Sequence, residues 1–188
     1  MKLGAFFVEI LPLLAFFVGY QYLGLIAAAV LSVGIGGLVL GVVWLRERRV
    51  AAFPLFSLLL SAAFTAAALA FGDGIFIKIQ PTIFNGMFAV VLLGGLLSGR
   101  AMMRLFFAGQ FSLTEGTWRL LSLRWGCFFL VLAFANEIVW RGFDEAEWVF
   151  YKTFIAAPAS ALFMLAQLPL TLRGRLSAAD DPAPSPDQ

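Results

Sequence analysis

Five apolar runs of about twenty residues, near 22–45, 51–71, 76–97, 125–141 and 150–172, dominate the sequence. A helix rises ~1.5 Å per residue, so a run of that length reaches across the ~30 Å hydrocarbon layer of a bilayer. Inside lipid every backbone N–H and C=O must find its partner within the chain, which leaves helices and closed barrels. Barrel strands would alternate apolar and polar side chains at every second residue, and these runs do not. The composition agrees: 62% of the residues are hydrophobic and 13% charged, about half the charged share of a soluble domain. The expected fold is therefore all-α, a polytopic transmembrane helical bundle of five spans plus a short N-terminal membrane-inserted helix. Residues 1–176 form a single transmembrane domain in this reading. Residues 177–188, rich in Ala, Asp, Pro and Ser, form a disordered cytoplasmic tail.

Between the spans the punctuation is local. Residues 3–19 are apolar apart from Glu9 and are interrupted by Pro12. The run from Ala5 to Val18, fourteen residues, suits a re-entrant or interfacial helix better than a full span. Glu9 within that run, with no small-x-small cleavage site followed by a soluble domain, argues against a signal peptide. Arg46-Glu47-Arg48-Arg49 makes a basic turn and Gly72-Asp73-Gly74 a tight one. Pro81 is expected in or near a first helical turn, where its missing N–H costs little. Ser112-Leu-Thr-Glu115 has capping-box spacing. Gly37-x-x-x-Gly41 and Gly95-x-x-x-Gly99 offer faces for close helix packing within the chain.

Orientation follows from the bases. Arg46, Arg48, Arg49, Arg100, Arg104, Arg119, Arg124, Arg173 and Arg175 fall on one side of the spans, against Lys78, Arg141 and Lys152 on the other. The richer side is cytoplasmic by the positive-inside rule and carries the C-terminus. Five spans place the N-terminus outside; a sixth made from residues 3–19 brings it inside.

Several chemistries are excluded. Histidine is absent, which removes imidazole acid–base catalysis, Ser-His-Asp triads and His-rich metal sites. Cys127 is the single cysteine and reads as an inert packing residue among aromatics. No phosphate-binding glycine loop, metal-ligand spacing or nucleophile elbow occurs, so neither enzyme activity nor a cofactor is expected. The bases are scattered among loops, which argues against nucleic acid as a partner.

Two groups of residues remain as candidates. The first is polar: Glu9, Lys78, Asn136, Glu137, Arg141 and Lys152. Ionisable groups near a membrane span are costly unless paired, and Glu137 and Arg141, four apart with the acid first, stand where helical neighbours meet. The bland reading of the same residues is helix anchoring, with Lys78 and Lys152 snorkelling to the interface and Trp140, Trp148 and Tyr151 in an aromatic belt. The second group lies in the 100–124 connection. There Arg104, Trp118, Arg119 and Arg124 alternate with apolar residues, a pattern expected of short helices in the headgroup layer and a candidate interaction surface.

Taken in order, these motifs resemble those of one family. Phe76-Ile77-Lys78-x-x-Pro81-Thr82-Ile83, Leu113-Thr114-x-x-x-Thr117-Trp118-Arg119, Arg124-Trp125, Asn136-Glu137-x-Val139-Trp140-Arg141 and Trp148-Val149-x-x-Lys152 are similar to the intracellular septation protein A family. The likeness runs from Glu9-x-Leu11-Pro12-Leu13 to Gln167-Leu168-Pro169-Leu170. Gln80 departs from the lysine or methionine common there, and Tyr151 from phenylalanine. The resemblance implies a small bacterial inner-membrane protein tied to envelope biogenesis, envelope integrity and septation, with no established catalytic residue. The expected role is non-enzymatic, through contacts with membrane lipids or with cell-wall synthesis and division proteins of the membrane; a homo-oligomer stays open. The rival reading is a small-molecule or lipid transporter or flippase, in which Glu9, Lys78, Glu137 and Lys152 line a path.

Overall fold

The computed structural model describes residues 3–48, 52–108 and 111–176, with backbone alone at 3–9, 47 and 52–53. The tail expected at 177–188 and Arg49 lie outside the described residues, as does the side chain of Glu9. The elements in chain order are α1 (Leu3–Leu23), α2 (Leu25–Glu47), α3 (Ala52–Phe71), α4 (Ile75–Leu97), α5 (Met102–Phe107), α6 (Glu115–Gly142), α7 (Glu145–Phe150), a π-helical turn (Tyr151–Ala156), α8 (Ala157–Ala166) and α9 (Leu168–Arg173). Among the described residues five stretches are long and apolar enough to cross a membrane: Leu25–Arg46, Pro54–Phe71, Ile75–Leu97, Glu115–Gly142 and Glu145–Arg173. The protein is an all-α polytopic membrane protein.

The chain divides into two compact units. One comprises the residues up to Pro81 together with Asn136–Thr153; the other comprises Thr82–Ala135 and the chain from Phe154 onward.

In the first unit α1 and α2 form a hairpin closed by a single residue. Gly24 takes φ 80°, a conformation that side chains with a Cβ rarely adopt, and so reverses the chain in one step. The helices then run antiparallel in close contact. A Cβ at Gly19 would lie 3.2 Å from Ala28 Cα, the Ser32 hydroxyl donates to the Pro12 carbonyl at 2.8 Å, and Gly36 backs the Pro12 ring. Phe16, Leu25, Ala28 and Ala29 are buried there with Ala68 of α3, Ile77 of α4, and Trp148 and Val149 of α7. Gln80 of α4 donates to the Ser61 hydroxyl of α3 at 2.6 Å. Asp73 accepts from the Ile75 N–H at 2.8 Å and so caps the start of α4.

In the second unit a Cβ at Gly126 would come within 2.7 Å of the Leu93 side chain, which brings α4 and α6 together there. Aromatic rings fill the rest: Phe88 against Phe129 at 5.5 Å, Trp125 against Phe163 at 5.0 Å, and Phe128 stacked on Phe163 at 4.0 Å. Ala101, Leu113, Trp118 and Leu121 form a buried cluster, covered by Phe107 and Leu170 among others.

Four local expectations change. Pro81 lies nearly two turns inside α4, yet the helix continues through it to Leu97. α6 starts at Glu115 and is capped by Thr114, whose hydroxyl accepts from the Thr117 N–H at 3.3 Å. The capping box forms instead at Asp144 and Glu147, where α7 begins. A Cβ at Gly37 or Gly41 would meet nothing within 4 Å among the described residues, so close packing falls to Gly19, Gly36 and Gly126. Cys127, expected as an inert packing residue among aromatics, is exposed.

Candidate functional site

The polar candidates of the first unit are organised around Asn136. Its position on α6, five residues before Arg141, places it 2% exposed among helices. An amide buried so completely costs free energy unless both ends are satisfied. Its Nδ2 donates to the Lys78 carbonyl at 2.8 Å, and its Oδ1 accepts from Trp148 Nε1 at 3.0 Å. One side chain therefore joins α4, α6 and α7.

Lys78, the backbone partner of Asn136, sends its ammonium to Glu145 Oε2 at 3.1 Å. The Glu145 carboxylate also lies near the Tyr20 hydroxyl of α1. Trp148, the indole partner, has Phe16 edge-on at 6.3 Å, and the ammonium of Lys152 stands 3.9 Å from the Phe16 ring and 5.2 Å from Trp148. A cation over aromatic faces is attracted by their quadrupoles, so Lys152 is held by rings. Lys152 belongs to the π-helical turn, and its neighbour Thr153, 7% exposed, has no hydrogen-bond partner for its hydroxyl among the described residues.

Glu137 and Arg141 meet at 2.6 Å, and Trp140 donates its indole N–H to the second Glu137 oxygen at 2.9 Å. The Arg141 guanidinium lies 4.3 Å over the Trp140 ring. The Arg141 side chain is 65% exposed and that of Glu137 28%. Lys78, Asn136 and Lys152 thus share one network through Trp148, with Glu137 and Arg141 as an adjoining pair along α6.

Glu145, Tyr20, Phe16 and Trp148 were not singled out from the sequence as site residues. The signal for Glu145 was the acidic turn directly after Arg141. Trp148 read as an interfacial belt residue, but its indole faces Asn136. Nothing local marks Tyr20 or Phe16, because their roles depend on how α1 packs.

The second candidate group divides. Arg104 binds Glu115 at 3.2 Å, Arg119 lies 3.7 Å from the same carboxylate, and Arg124 donates to Gln167 Oε1 at 3.3 Å. Trp118 does not belong to an interaction surface: it is 3% exposed and packs in the cluster with Ala101, Leu113 and Leu121. Its alternation with arginines had suggested an exposed face, but Phe107 and Leu170 cover it.

Among the described residues no group of His, Cys, Asp and Glu is placed to hold a metal ion. No solved structure matches the chain. Among curated proteins it is similar to the inner membrane-spanning protein YciB of Sinorhizobium fredii, with 43% identity over 130 residues, 69% of this chain and 62% of that protein. The YciB of Agrobacterium fabrum is 42% identical over 134 residues, 71% of this chain and 66% of that one. That of Brucella melitensis is 39% identical over 144 residues, 77% and 72% of the two chains. The chain thus spans less than two thirds of the length of the first two relatives. The profile of the family described as intracellular septation protein A matches residues 4–177. The chain belongs to the intracellular septation protein A family.

Proposed function

We propose that the protein is a non-catalytic integral protein of the bacterial inner membrane that supports envelope biogenesis, envelope integrity and septation by contact with membrane proteins or lipids. Its C-terminus is cytoplasmic in this reading. The observation that carries it is the family match over residues 4–177. The geometry lends support: the polar groups gathered around Asn136 are engaged with one another, with backbone or with rings, as expected where polar residues fix helices in place. Photoreactive residues at 105, exposed on α5, and at 138, exposed on α6, test it in cells whose own family member has been deleted. Rescue of the envelope defect, with capture of cell-wall synthesis or division proteins or of membrane lipid, is the expected result. Failure to rescue at normal abundance would overturn the reading.

A second reading, transport of a small molecule or lipid, is favoured by the π-helical turn beside Lys152 and the unsatisfied Thr153 hydroxyl, since π turns recur at functional sites. Single cysteines along 148–153, in a Cys127→Ala background, would then react with water-soluble thiol reagents. Protection at every position would remove it.

A further inference from the structure

The second unit carries a basic collar that the order of residues alone does not assemble. The Thr114 N–H donates to the Gly174 carbonyl at 2.9 Å, the Leu176 N–H donates to the Ser112 carbonyl at 3.0 Å, and Leu113 pairs with Arg175 in an antiparallel bridge. This clasp fixes Arg173 and Arg175 against the segment leading into α6. Two residues after Leu113, Glu115 holds Arg104 and Arg119, and Arg119 also donates to the Gly99 carbonyl at 3.3 Å, next to Arg100. All five arginines are exposed, and Glu115 is the carboxylate they have among the described residues of this segment. A strong positive excess remains.

Apolar side chains stand out between these cations. Leu105 is 73% and Phe106 48% exposed on α5, and Leu172 is 63% exposed beside Arg173. An acidic soluble protein gives no reason for exposed leucine and phenylalanine among guanidiniums. A bilayer leaflet does: the apolar groups enter the acyl boundary while the bases stay with the headgroups. The bases are all arginine, whose planar fork takes phosphate oxygens in pairs. We propose that the collar of Arg100, Arg104, Arg119, Arg173 and Arg175 binds the phosphate headgroups of anionic phospholipids. This rests on the reading of the chain as an inner-membrane protein acting by contact, and gives that contact its lipid chemistry.

The full chain, purified in neutral detergent, is titrated with phosphatidylglycerol or with phosphatidylcholine of the same acyl chains, and bound lipid is counted by native mass spectrometry. Phosphatidylglycerol is expected to bind about ten-fold tighter or more, with the preference shrinking as salt rises. The triple variant Arg100→Gln, Arg104→Gln, Arg175→Gln is expected to lose that preference, whereas Arg46→Gln with Arg48→Gln, outside the collar, keeps it. Where the triple variant fails to melt cooperatively, the single variants Arg100→Gln and Arg175→Gln each carry the same expectation at about five-fold. Equal affinity for the two lipids, or an unchanged preference in the variants, overturns the proposal. A chain that rescues the envelope defect while showing no lipid preference overturns this inference and leaves the contact reading standing; a preference without rescue does the reverse.

Discussion

The indole N–H of Trp148 donates to the Oδ1 of Asn136 at 3.0 Å, joining α7 back to α6 across the acidic turn. The other end of the same amide binds the Lys78 carbonyl on α4 at 2.8 Å. Asn136 is buried, so nothing from solvent replaces these bonds.

Asn136→Leu is expected to be strongly destabilising. It leaves a buried indole N–H without its acceptor and removes a donor from the Lys78 carbonyl, at a cost of about 1–3 kcal/mol. Thermal unfolding in detergent measures this. An unchanged melting temperature would show that the bonds are replaced by water.

Glu137→Gln is expected to be mild in stability, under about 1 kcal/mol, because Arg141 is largely exposed and keeps its place over the Trp140 ring. Abundance should stay near normal on a membrane-fraction blot. Loss of envelope rescue at that abundance would mark the pair as a contact site; full rescue would assign it to helix anchoring.

Gly174→Val is expected to open the clasp. A Cβ at Gly174 would overlap the Thr117 side chain, so the Leu113–Arg175 pairing must yield. The Thr114 and Leu176 amides should exchange with deuterium at least ten-fold faster, a loss of about 1.4 kcal/mol of local protection. Unchanged exchange would mean that the clasp is held by other contacts.

A reporter at residue 176 is expected to read the cytoplasm, fluorescent as a green fluorescent protein fusion and inactive as an alkaline phosphatase fusion. A phosphatase inserted at Gly72-Asp73-Gly74 should be active. The reverse pattern would contradict the positive-inside assignment.

The spans were legible because the need to satisfy every backbone group in lipid acts locally, on twenty or so consecutive residues. Glu137 and Arg141 were legible for the same reason, being one helical turn apart. The pairing of Lys78 with Glu145 was not, since their 3.1 Å contact depends on the packing of α4 against the start of α7. Trp118 and Arg119 are adjacent in sequence and opposite in fate. Which face of α6 lies under Leu170 is decided by the return of the last span, and no periodicity within 100–124 encodes it. Ser112 shows the same limit: the helix begins at Glu115 with Thr114 as its cap, and Ser112, ahead of it, is paired with Leu176. At Gly37 and Gly41 the motif was present and no contact is made among the described residues, whereas α1 and α3 approach α2 at Gly36.

The one-residue turn at Gly24 bears on how the protein enters the membrane. With no slack between them, α1 and α2 are expected to enter the bilayer as one helical hairpin. The hairpin also sets a direction of travel. Pro12 lies level with Ser32 and Gly36, so α1 read backwards from Gly24 climbs beside α2 toward the end that carries Arg46. In the orientation proposed above, with Arg46 on the cytoplasmic side, the first turn of α1 lies toward that side, and a reporter fused to the N-terminus is expected to read the cytoplasm.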